Sequence, residues 1–292
     1  MKPLVAVALA LLMVAGCRSE EKAIDSSAHT MEVQQWQSRR AERLKAEDGW
    51  LTLIGLHWLN EGRNVVVLAK PGTPQIEIER AGEKATLHPA AGLTIEGKPV
   101  DAPVALRSDA DEPGPTFVQV GSVRFNVIRR GDRLALRVKD AEAETRTHFA
   151  GLEYYPTNAK WRVEAKLEMA HPPKKIPITD ITGMTADSIS PGSLVFEIDG
   201  QEYRLDPILE EGSDELFIIF RDATSKDTTY PAGRYLYSKK PGADGKVIVD
   251  FNRAYNPPCA FTPYATCPLP PPQNRLPIRV EAGEKKYSAG HA

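Results

Sequence analysis

Arg124, Arg130, Arg133, Arg137 and Lys139 fall on one face of a strand pair when Gly131-Asp132 is read as its turn. Guanidinium groups gathered this way can clamp a carboxylate or phosphate through paired hydrogen bonds. On an antiparallel sheet the same row can equally be a solvated face, neutralised by Asp132, Asp140, Glu142 and Glu144. The solvated face is the expected role, unless the row lines a concavity. A second polar group, Arg221-Asp222-Ala223-Thr224-Ser225-Lys226-Asp227-Thr228-Thr229-Tyr230, follows the apolar run Leu216–Phe220. Its Asp, Ser and Thr side chains are expected to bond their own backbone in tight turns, with the rim of a site as the alternative. Asp250, Asn252, Arg253 and Asn256 form a third group. There an Asp250–Arg pair is expected to brace the loop that follows, and Glu281 and Glu284 are further carboxylates within the same stretch.

That loop is dense in proline and carries Cys259 and Cys267. Proline fixes φ and removes a donor, so the segment reads as a rigid cap or a site wall. An even cysteine pair in an exported chain points to a disulfide. Two thiolates of a metal site are the alternative, but no CxxC and no nearby histidine supports it. Of the histidines, His29 and His291 fall in expected tails, and His57 lies in the apolar run between Leu56 and Trp58, where a core role is expected. His148 is ambiguous, and no ligand spacing joins it with His57 and a cysteine into a metal site. There is no GxSxG, HExxH, P-loop or GxGxxG, so the standard serine hydrolases, zincins, nucleotide triphosphatases and dinucleotide enzymes are not indicated. No motif names a cofactor.

The elements that must carry these groups are mostly strands. One helix is expected near the start, where Val33, Trp36, Arg40 and Leu44 recur at helical spacing before Gly49. The clearest hairpin runs from Val123 to Val138. It sets Arg130 opposite Arg133, Ile128 opposite Ala135 and Asn126 opposite Arg137, and turns Val123, Phe125, Val127, Leu134, Leu136 and Val138 to the other face. A second hairpin turns at Asp199-Gly200 with Phe196 opposite Tyr203. Further strands are expected at Trp161–Met169, Glu215–Arg221, Arg234–Tyr237, Lys246–Phe251 and Pro277–Glu281. Lys160–Lys175, with His171-Pro172-Pro173, is the expected seam between two β modules.

The N-terminus reads as a targeting segment. Lys2 precedes the apolar run Leu4–Ala15, which is too short to span a bilayer and ends in Val14-Ala15-Gly16-Cys17. That ending resembles a bacterial lipobox, in which the chain is cut before the cysteine and the cysteine carries lipid. By the same resemblance Arg18 favours the outer membrane. Residues 1–16 are thus expected to be a lipoprotein signal peptide and 17–31 a flexible tether. An N-terminal helix plus β module is expected over 32–160, and a C-terminal β module with a proline-rich cap over 161–292. A net charge of −2 and a pI of about 6.3 give no global field to recruit nucleic acid.

Several phrases together resemble the bacterial family called domain of unknown function 1684. They are Gly49-Trp50-Leu51-Thr52-Leu53-Ile54-Gly55-Leu56-His57-Trp58-Leu59, Arg129-Arg130-Gly131 with Arg137 and Asp140, Arg221-Asp222 to Arg234, and above all Asp250 to Leu276. The similarity extends to Ala282-Gly283-Glu284-Lys285, and departs where Lys226 and Pro231 stand in place of expected glycines. It implies no established reaction. It does put His57, Arg137, Asp222, Thr229, Tyr230, Arg234, Asp250, Asn252, Arg253, Asn256, Cys259, Cys267 and Asn274 within family motifs. We therefore expect a mainly β protein of two packed antiparallel modules, sandwich- or barrel-like, with one N-terminal helix and a proline-rich cap. It is expected to be anchored through lipid on Cys17 at the periplasmic face. A pocket built from Arg137, Asp222, Thr229, Tyr230, Arg234, Asp250, Asn252 and Arg253 is expected to bind a small anionic or hydroxylated ligand. The alternatives are a hydrolase using His57 or an Asp–Arg-braced base, and a purely structural envelope protein.

Overall fold

The computed structural model describes residues 26–288. The expected signal peptide, Cys17, most of the expected tether and His291 lie outside the described residues. The helix, α1, spans Ser26–Lys45. It starts earlier than expected, so residues 26–31 are helical rather than tether. Its inward face is the one the spacing marks, with Val33, Arg40 and Leu44 buried. The helix stops because Gly49 folds back against it: a Cβ there would stand 2.4 Å from the Leu44 carbonyl oxygen. No helix among the described residues is long and apolar enough to cross a membrane.

The architecture is mainly β, in antiparallel sheets. The first module joins two sheets. A six-stranded sheet runs in the order Leu53–Trp58, Arg133–Asp140, Val123–Arg130, Val118–Val120, Thr94–Ile95, Lys98–Pro99. The other has four strands: Gly62–Val67, Gln75–Ala81, Lys84–Leu87 and Val104–Leu106. The hairpin register is the expected one, with Arg130 opposite Arg133, Ile128 opposite Ala135 and Asn126 opposite Arg137. Its apolar face, from Val123 to Val138, is buried between the sheets. Each large apolar side chain so buried contributes about 1.5–3 kcal/mol. A slip of one residue would turn the arginines into that core, which locks the register.

In the second module a four-stranded sheet has the order Gln201–Leu205, Thr185–Ile198, Arg162–Thr179, Lys246–Asp250. A three-stranded sheet has the order Ile208–Leu209, Glu215–Phe220, Arg234–Lys239. Asp199 and Gly200 both take positive φ, as a two-residue turn of this kind requires, and Phe196 pairs with Tyr203. The run Leu216–Phe220 is apolar without alternation because both its faces are covered. Leu216, Ile218 and Phe220 enter the core between the module's sheets. Phe217 and Ile219 enter another core, with Ile176, Ile178, Cys259 and Cys267.

The stretch Lys160–Lys175 carries the strand Arg162–Thr179, with its pairing interrupted only between Met169 and Lys174. One expectation is corrected. Pro277–Glu281 forms no ladder. Its backbone is satisfied locally, with Val280 N donating to Asp222 Oδ2 at 2.7 Å and Ile278 O accepting from Ala223 N at 2.9 Å.

Candidate functional site

A cleft of about 1290 Å³ opens where α1, the arginine hairpin, the three-stranded sheet and the proline-rich cap converge. The helix presents Trp36, Arg39, Arg40 and Arg43, which recur about one turn apart. The chain then reverses at Gly49 and delivers Trp50 to the floor. Arg130 and Arg137 come from the hairpin, Phe217, Tyr235 and Tyr237 from the sheet, and Arg253, Tyr255, Thr266 and Cys267 from the cap. Two of the cationic row, Arg130 and Arg137, therefore line a concavity, while Arg124 and Arg133 lie outside it over the Phe117 and Trp58 rings. Of the acids expected to neutralise the row, Asp140 and Glu142 both bind Lys70, at 2.9 Å.

The cleft arginines differ in what they already hold. Arg40 is buried, donating to Glu284 Oε1 at 3.0 Å and to the Asn256 carbonyl at 2.9 Å, beneath the Tyr255 ring. Arg130 pairs with Asp109 at 2.9 Å and donates to Thr266 Oγ1 at 3.3 Å. Arg253 reaches Glu32 at 3.1 Å and Asp250 at 3.4 Å. Arg137 makes no ion pair among the described residues. Its Nε is buried without a hydrogen-bond partner among the described residues, and its guanidinium lies 5.3 Å from the Trp50 ring centre. Burial, and then the charge of Arg130, push its pKa down to about 10. Lys139, beside the same ring, is lowered by burial and then by Arg137. Six arginines line the cleft together with Glu42, Asp48, Glu210 and Glu215, and neither Arg137 nor Lys139 makes an ion pair among the described residues.

Of the expected pocket residues, Arg137 and Arg253 line the cleft. Asp222, Thr229, Arg234, Asp250 and Asn252 instead sit in the interior, tying loops together. Arg234 is fully buried, bonded to Asp222 at 3.2 Å and to the carbonyls of Val280 (2.9 Å) and Ala282. Asp222 caps the turn Ala223–Lys226, and its Thr224 partner bonds Thr229, which is the expected turn chemistry. The departures at Lys226 and Pro231 are accommodated because neither needs positive φ; Gly233 takes it, at +108°, and a Cβ there would meet Pro270. Asp250 accepts from the Asn252 amide and pairs with His29 at 2.8 Å. Asn252 Nδ2 also donates to the Asn158 carbonyl. Tyr230 donates to the Cys259 carbonyl at 2.9 Å. Asn274 holds Asp206 and Ile219.

Cys259 and Cys267 are adjacent, as a disulfide requires, but are free thiols. Cys259 N donates to Cys267 Sγ at 3.0 Å. The Cys267 thiol is raised by its bond to Cys259 and by burial, and that same bond lowers Cys259. His57 is half-buried on the strand Leu53–Trp58, its pKa lowered by burial, and is absent from the described lining of the cleft. His148 is exposed. No group of three or more His, Cys, Asp or Glu suited to a metal occurs among the described residues. His29, expected in a tail, is buried. Sequence reasoning also missed Trp36, Arg40, Trp50 and the tyrosine wall as lining. A charged residue at an inward helical position, Arg40, was the available signal.

The class these features define is an antiparallel two-module β protein with a helix and a cap closing a cationic, aromatic cleft. The chain belongs to the family described as a protein of unknown function, DUF1684, whose profile matches residues 147–285. The match includes the interior motifs from Asp222 to Asn274 and leaves out His57 and Arg137. A solution NMR structure of an uncharacterized protein from Haloarcula marismortui is 32% identical over 51% of this chain and 82% of its own, with a TM-score of 0.42. No curated protein matches the chain.

Proposed function

We propose that this protein binds a small anionic ligand in the cleft. The observation that carries the reading is Arg137: a half-buried guanidinium whose buried Nε has no partner among the described residues, beside Arg130 and 5.3 Å from the Trp50 ring centre. A buried charged donor without a partner is costly, and an incoming carboxylate or phosphate removes that cost. The depressed Arg137 pKa fits the same account, since an anion beside it would restore the ordinary value. The leader and Cys17 support a lipid-anchored placement at the periplasmic face, the outer membrane being favoured by Arg18.

Native mass spectrometry of the full-length chain in detergent tests the binding reading, together with titration by inorganic phosphate. We expect a carried mass lost on denaturation, or a saturable phosphate response, with either abolished in Arg137→Gln. A bare mass with no phosphate response overturns the reading. For the anchor, Cys17→Ser is expected to move the protein from the membrane to the soluble periplasmic fraction. An unchanged distribution would sink that placement.

A further inference from the structure

We propose that the ligand is an acid, carboxylate or phosphate, carried on a flat aromatic body, with the acid on Arg137 and the ring against the Phe217–Tyr237–Tyr255 wall. This rests on the cleft being an anion site.

The place of the acid follows from the arginines already committed. Arg40 is held by Glu284, Arg130 by Asp109 and Arg253 by Glu32. Arg39 and Arg43 line the cleft as exposed side chains, whereas Arg137 is left with a buried Nε that has no hydrogen-bond partner among the described residues, which matches a planar acid at that point. Orientation follows from the opposite charges. Glu210 and Glu215 line the cleft beside the rings, with Glu210 bonded to the Tyr237 hydroxyl, so an acid is repelled there and drawn to Arg137.

The body of the ligand is read from the wall. Phe217 and Tyr237 stack at 4.8 Å and 20°, and Tyr237 and Tyr255 lie at 6.4 Å and 13°, giving a ribbon of nearly parallel rings. The Tyr235 hydroxyl donates to the Pro268 carbonyl at 2.8 Å and the Tyr237 hydroxyl to Glu210 at 2.9 Å. The hydroxyls of Tyr235 and Tyr237 are therefore committed within the protein. A sugar, which needs hydroxyl partners along its length, finds few there, whereas an aromatic ring finds ring surface. Burial raises the pKa of Tyr235, Tyr237 and Tyr255, so the phenols stay neutral and do not repel an anion. The two halves of the site adjoin at Cys267, which lines the cleft together with Tyr235 and Arg137.

The test is calorimetric titration of the full-length protein, with the fluorescence of Trp36 and Trp50 as a second readout. The probes are phenyl phosphate against inorganic phosphate, and benzoate against acetate. We expect each aryl acid to bind about tenfold tighter than its small counterpart. The better pair shows whether carboxylate or phosphate is preferred. Tyr237→Leu is expected to erase the aryl margin while leaving inorganic phosphate within about twofold, and Tyr237→Phe to retain the margin. Arg137→Gln should weaken all four probes by about tenfold or more. Equal binding of aryl and simple anions overturns this proposal and leaves the anion site standing. No binding of any anion overturns both.

Discussion

Arg234 is fully buried and Arg137 half-buried, in regions built to different ends. Around Arg234 the chain supplies a carboxylate, two carbonyls and the Phe220 ring, leaving only Nε without a partner. Around Arg137 it supplies an indole and a second cation. The first environment closes on itself and holds the turn at Asp222 to the segment at Val280. The second is open on one side. The contrast teaches that a polar residue in a family motif marks scaffold when the fold completes its bonding, and a site when it does not.

The comparison can be broken most directly at Arg234. Arg234→Met removes one member of a buried pair and leaves Asp222 charged and without its cation, so stability should fall by about 3–5 kcal/mol in urea denaturation. A loss within about 0.5 kcal/mol would deny the scaffold role. Glu284→Gln should come next. It weakens the bond from Arg40 and one from Asn256 N, and a cost of about 1–3 kcal/mol is expected by the same method. Arg137→Gln sharpens the contrast, since its stability should stay within about 0.5 kcal/mol of wild type while phosphate affinity drops. A large destabilisation there would make Arg137 scaffold as well. The smallest effect concerns His57. Burial holds its folded pKa below the ordinary 6.5, so the unfolded chain takes up the proton first as pH falls. Its share of stability is present above 6.5 and is lost as pH falls from there toward the folded value. The drop in stability between about pH 7.5 and about pH 5.5 should therefore be smaller in His57→Gln than in wild type. An identical drop in both would show that His57 does not titrate between the folded and unfolded states.

Local order was readable where one period and one turn sufficed. The Val123–Val138 register, the Asp199-Gly200 turn and the inward face of α1 all follow from short-range patterning that burial then enforces. The site was readable only in pieces. Arg137 and Arg253 were named, yet the aromatic wall was not, because Phe217 and Tyr237 sit on neighbouring strands as ordinary core-like residues until α1 packs nearby. Nothing local tells Arg130 that Asp109 will neutralise it while Asp140 goes to Lys70. Pro277–Glu281 has strand-like composition, but a ladder needs a free neighbouring edge, and Asp222 bonds the Val280 N–H instead.

The clasp between Arg40 and Glu284 spans 244 residues, and that between His29 and Asp250 spans 221. Closing so long a loop costs entropy before any contact repays it, whereas the hairpins close over a few residues. α1 is therefore expected to dock late, after the sheets it covers have paired. During refolding, strand signals in circular dichroism should precede the change in fluorescence from Trp36. A chain halted between those two events would hold its sheets but lack one wall of the cleft, so the ability to capture a ligand would be the last property the molecule acquires.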